Sequence, residues 1–230
     1  MISVELAQIA LAAPIIPFVF YFLLGVNQYL VCNQGKKKFS ILTDFPYEMM
    51  NKKVKNYTIY FLVGYFLLVL LTNVSMFLDF YDASSGIIGL LVLSAFLTLT
   101  YAFFNLRIHT ITASLEKSHL GRFFLMGLTL ALLSSVNGLI FINLSREHDL
   151  EKLIFALSIL MFVIALIVVI VMVNPRLKTW AKLEKVVDED GNSSLKRPKP
   201  FVLAFSEWIT IFLGVLSLLL TALCNYLIIK

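Results

Sequence analysis

The stretch "LIFALSILMFVIALIVVIVMV" at residues 153–173 contains twenty-one residues and one polar side chain, Ser158. A hydrocarbon layer of roughly 30 Å is crossed by about 20 helical residues at 1.5 Å each, so this segment has the length and polarity of a membrane-spanning helix. Five more blocks of similar character follow one another along the chain. Together they give predicted helices at about 4–31, 57–80, 86–106, 123–144, 153–173 and 201–229, with Pro14 and Pro17 breaking the first. A membrane barrel would need short segments alternating apolar and polar residues, which these blocks do not show. Helices that satisfy their own backbone in lipid remain. The chain therefore reads as an all-α integral membrane protein, one polytopic domain over 1–230 folded as a six-helix bundle. Sixty per cent of its residues are hydrophobic and 14% charged, with a mean hydropathy of +0.89, which excludes an ordinary soluble domain.

Charge placement predicts orientation. Sixteen of the 19 Lys and Arg residues lie in alternate connections: Lys36 to Lys55, Arg107 to Arg122, and Arg176 to Lys199. By the positive-inside rule these three connections face the cytoplasm and both termini lie outside. The net charge of +5 then needs no nucleic-acid partner. It marks a cytoplasmic edge, where "GKKK" at 35–38 and its counterparts would meet anionic lipid headgroups. Plasma membrane is the expected location. The N-terminal segment lacks a basic leader region, and its apolar run is too long for a cleaved signal peptide. Cys32 and Cys224 fall near opposite ends of the bundle, so no disulfide between them is expected.

The external connections, "DASS" at 82–85 and "REHDLEK" at 146–152, are short, which makes the second and third helices and the fourth and fifth antiparallel neighbours. The cytoplasmic connections are longer. "NPRLKTWAKLEKVV" at 174–187 places Leu177, Trp180, Leu183 and Val187 at helical spacing behind Asn174 and Pro175, predicting an interfacial helix over about 175–187. "DEDGNSSLKRPKP" after it reads as a flexible turn and a helix stop. "FSILTDFPYEMMNKK" is apolar and basic by turns, predicting a second segment along the membrane surface. Such a rim suits lipid or a docked protein partner.

Catalytic chemistry is not legible. His109, His119 and His148 are assigned to loops, so no helix offers an imidazole for zinc or for a Ser/His pair. HExxH, GxSxG, CxxC and P-loop patterns are missing, no cofactor is implied, and the reading leans away from an enzyme.

What remains is small and polar residues at regular spacing. In the sixth predicted helix Glu207, Thr210, Gly214, Ser217, Thr221 and Cys224 succeed one another at steps of three and four, the seam of a packed helix pair. Further candidates for a polar seam or pathway are Gln28, Tyr101, Asn105, Ser134, Ser135 and Asn137, with Pro14 and Pro17 as helix breaks of the kind transporters use. The fifth helix has almost nothing polar and should be peripheral. Glu207 stands out, because an intramembrane carboxylate is a functional candidate by default. Asn105, Gln28 and Tyr101 are its expected partners. Two functions fit: a small transport-type protein or permease subunit, or a non-transporting accessory, assembly or immunity-type protein that packs against a membrane partner.

Overall fold

The computed structural model describes residues 2–32, 39–49, 55–80, 84–110, 116–147, 149–179, 181–187 and 193–230. The chain is an integral membrane protein built on six helical spans, each long and apolar enough to cross a bilayer. The first span is two helices, α1 (Ile2–Ala12) and α2 (Ile15–Cys32), separated at Pro14. Proline has no N–H to continue the ladder, and the Ala13 N–H makes the last bond of α1, to Ile9 O at 3.1 Å. Pro17 lies in the first turn of α2, where a missing N–H leaves no gap.

The remaining spans are α3 (Lys55–Asp79), α4 (Ser85–Thr110), α5 (Glu116–Leu144), α6 (Glu151–Met172) and α7 (Val202–Ile229). Two expected boundaries need correction. The third span runs four residues beyond 106, and the fourth begins seven residues before 123. The polar residues Lys117, His119 and Arg122 at this end obscure a helix whose buried face is continuous. His119, Phe123, Met126, Leu130, Leu133, Asn137 and Ile140 recur at alternating steps of four and three, and all are buried.

Helix α7 lies at the centre, packed against α1, α3, α5 and α6, while α3 pairs with α4 and α5 with α6 as the short connections require. Helix α6 lies at the edge as expected and exposes Leu160, Leu166 and Ile170. Close approach between α5 and α6 depends on two glycines. A methyl on Gly127 would lie 2.6 Å from Met172 Sδ, and one on Gly138 would lie 2.8 Å from the Phe162 ring. With lipid as apolar as the side chains, contact of this quality rather than exclusion of water holds such helices together.

The interfacial helix expected over 175–187 does not form. Only Pro175–Thr179 is helical, as a 3-10 turn that Asn174 caps by accepting from the Arg176 N–H at 3.0 Å. Strand β1 (Glu184–Val187) then pairs antiparallel with β2 (Ser193–Lys196), Glu184 opposite Lys196 and Val187 opposite Ser193. Two successive β-branched valines, Val186 and Val187, and a glycine-containing connection favour a hairpin over a continued helix. The expected surface segment at 39–49 is also different. It folds over the end of the bundle, with Asp44, Phe45, Pro46 and Met49 buried and a 3-10 turn at Pro46–Met49. The "GKKK" cluster, Lys52, Lys53, His148, Trp180 and the turn at 188–192 lie outside the described residues, as do the side chains of Gln28 and Cys32.

Candidate functional site

The polar groups of the bundle form two assemblies, and the deeper one follows from the seams of α5 and α7. These helices run parallel, since their contacts advance together along both chains. Ser134 and Ser217 share a hydrogen bond at 2.7 Å, and one turn further on the Asn137 amide donates to Thr221 Oγ1 at 2.9 Å. The Ser94 hydroxyl of α4 lies 2.6 Å from Asn137 Oδ1 and 2.8 Å from Asn73 Oδ1 on α3. It carries one proton and can donate to only one of them at a time. Four helices are thus joined by a buried ladder of short polar side chains. Thr210 turns back to its own helix, donating to Ser206 O, and Ser135 does the same to Ala131 O while half-buried.

Tyr101 is fully buried, and its hydroxyl end lies against Gly214 of α7. It accepts from the Asn105 amide at 3.4 Å. Glycine is required here by contact, because a Cβ would fall inside the tyrosine hydroxyl.

The second assembly centres on Glu207, five residues into α7 and about 7.5 Å along it. Its carboxylate is fully buried. The partner is His119, whose Nδ1 lies 2.7 Å from Glu207 Oε1. Neither Asn105 nor Tyr101 bonds to it among the described residues, and the side chain of Gln28 is not among them. The placement of histidines in loops is therefore overturned for two of the three. His119 lies in the first turns of α5 and His109 in the last turn of α4, both buried. The His109 contact with Asn105 O at 2.8 Å fixes its tautomer, since a carbonyl only accepts and Nδ1 must carry the hydrogen. Nε2 then accepts from the Tyr21 hydroxyl at 3.0 Å, tying α4 to α2.

Over the Glu207–His119 pair lies the segment 39–49. Phe45 and Tyr47 cover the imidazole with ring centroids 4.7 and 5.5 Å away. Trp208 Nε1 donates to Asp44 O at 2.9 Å, and the Phe201 N–H donates to Leu42 O at 2.7 Å. Arg197 locks the segment from outside. Its guanidinium makes a two-pronged bond to Glu48 at 2.7 and 2.9 Å, reaches Thr43 O at 3.0 Å, and stacks over the rings of Phe45 and Phe201. The bond to Glu48 holds the Arg197 pKa above its usual value. Burial, and then the Glu48 charge, raises that of Tyr47.

Chemically, this site can hold a proton. A carboxylate and an imidazole in contact form either a charged pair or a neutral one with the proton transferred, and burial makes an unbalanced charge costly. The second oxygen of Glu207, Oε2, has no hydrogen-bond partner among the described residues, so the carboxylate retains an unused acceptor. No three His, Cys, Asp or Glu side chains converge among those residues. The sequence reading missed His119 and the cap, although the four-and-three spacing running back from Ile140 to His119 marks the histidine as part of a buried face. No protein-family model, curated protein or solved structure matches the chain.

Proposed function

We propose that the protein is a small transport-type membrane protein or permease subunit, in which Glu207 and His119 bind and release a proton or a cationic substrate group. The reading rests on one observation. A fully buried carboxylate in a membrane-spanning helix is paired with an imidazole through one oxygen and has no hydrogen-bond partner on the other. A carboxylate with an oxygen left over can take a second partner, as exchange of a proton or a cationic group requires. The cap at 39–49 then closes the cytoplasmic side, and Arg197 with Glu48 is its latch. In this reading the basic end faces the cytoplasm, both termini lie outside, and the plasma membrane is the location.

The test uses the proton itself as probe. Vesicles carrying the purified protein and an internal pH dye should acidify under an imposed potential faster than empty vesicles. Glu207→Gln should reduce the rate to that of empty vesicles without loss of folded protein. Wild-type vesicles no faster than empty ones would sink the proposal.

A second reading has its own support. The ladder through Asn73, Ser94, Asn137, Thr221, Ser134 and Ser217 is paired side chain to side chain and buried, which suits a packing core better than a passage. A non-transporting accessory protein would have such a core. It should keep a membrane companion through gentle detergent extraction, and recovery of a lone monomer would count against it.

A further inference from the structure

Away from both assemblies, the chain between α6 and α7 folds around an open cleft of about 570 Å³. Three segments supply its walls: the 3-10 turn after α6, the approach to β1, and the residues leading into α7. Each contributes a cation, Arg176, Lys182 and Lys199 in turn, and Glu184 is the one carboxylate in the lining. None of the three cations takes part in an ion pair among the described residues. Their convergence on one concave site therefore lacks a partner that would explain it. The cleft is not a bare charge patch, because Leu183, Pro198, Pro200 and Val202 line the rest of it. Val202 is the first residue of α7, so the positive end of that helix dipole adds to the field.

Position selects the ligand. Helix α6 ends at Met172 and α7 begins at Val202, so the cleft lies level with the ends of two membrane-length helices. A ligand there meets cations on one side and apolar walls on the other. We infer that this cleft is a binding site for a phosphate-bearing anion, formed by Arg176, Lys182 and Lys199 at the membrane boundary. Arg176 offers a planar fork to two phosphate oxygens, while the lysines act as point charges. The same chemistry is carried by an anionic phospholipid headgroup and by free phosphate. The site is independent of proton movement at Glu207, so either conclusion can fail without the other.

Lipid titration of the full chain in detergent, followed by native mass spectrometry, reads the site directly. Phosphatidylglycerol and phosphatidylcholine of equal chain length are compared, each with and without inorganic phosphate. Preferential binding of phosphatidylglycerol is expected, weakened about fivefold by each of Arg176→Gln, Lys182→Gln and Lys199→Gln and about a hundredfold by all three. Arg107→Gln, an equal charge loss on another exposed residue at the same end, should leave it unchanged, and Glu184→Gln should tighten it. Phosphate that binds at millimolar concentration and displaces the lipid would support the same site with a soluble ligand as its source. No preference and no phosphate response would overturn the inference. So would a loss in Arg107→Gln as large as in the three cleft variants.

Discussion

Substituting Gly214 by alanine tests the packing of α4 on α7 at a single point. A Cβ at this position would lie 2.5 Å from Tyr101 Cζ and inside its hydroxyl. Ordinary van der Waals contact begins near 3.4 Å, so the ring must retreat by about 0.9 Å at Cζ and by more at its tip. It has little room to do so. Phe66 meets it edge-on at 5.9 Å between centroids, Asn105 bonds to its hydroxyl, and the residue is only 1% exposed. Overpacking of this kind costs about 1–3 kcal/mol, and the helical preference of alanine over glycine returns up to about 1 kcal/mol. A contact this close puts the cost in the upper part of that range, about 2–3 kcal/mol, so the expected net effect is a loss of about 1–2 kcal/mol, read from equilibrium unfolding in mixed detergent micelles. In the Tyr101→Ala background the same substitution should be neutral or stabilising, because the ring that opposes the methyl is gone. A Gly214→Ala protein as stable as wild type, or one destabilised equally in both backgrounds, would refute the contact.

The ladder should lose little at its ends and more at its centre. Ser217→Ala should cost about 0.6 kcal/mol, the usual scale for a hydrogen bond between membrane helices, whereas Asn137→Ala should cost about 1.2 kcal/mol, twice that scale, because it removes the contacts to Ser94 and to Thr221 together. The same unfolding assay compares them. At the cap, the Tyr47 phenol in the folded chain holds its proton above the ordinary value of 10.0. The unfolded chain therefore loses that proton first, so the contribution is complete below pH 10 and falls as pH rises through the folded value. Tyr47→Phe should lose less stability than wild type above pH 10, and parallel curves would exclude the effect. Orientation can be checked with single cysteines placed at Asp149 and Lys182 in a Cys-free chain. A membrane-impermeant maleimide on intact cells should label the first and spare the second, and the reverse pattern would invert the proposed topology.

Hydropathy and spacing were informative wherever one helix determines the answer. The six spans, the break at Pro14 and the buried seam of α7 from Glu207 to Cys224 depend on composition and period alone, and the structure has them. The partners across the seam depend on which helices meet and at what height, and no single segment encodes that. Glu207 was legible as an anomaly; His119 was not, because the polar residues around it lower the local hydropathy and hide the start of α5. The hairpin at 184–196 was lost for a related reason. Leu177, Leu183 and Val187 fit a helical period by coincidence, and the successive valines Val186 and Val187 carried the stronger local preference. The cap at 39–49 is held by Arg197 and Trp208, roughly 150 residues away, a distance over which periodicity carries no signal.

The central place of α7 has a consequence for how the protein is made. The helices packed against it, α1, α3, α5 and α6, and α4 through Tyr101, all precede it in the chain, and synthesis proceeds at about 5–20 residues per second. The earlier helices are therefore made before His119, Ser134 and Asn137 can meet their partners on α7. Glu207, meanwhile, must leave the insertion machinery unpaired, at a cost below the roughly 2.5–3.5 kcal/mol of a charged side chain at a helix centre, because it lies only five residues into α7. Burial of this helix between its predecessors answers both needs at once. In chain order, the span that touches most of the others is the last to be made, so the bundle's central contacts close only when its synthesis is complete.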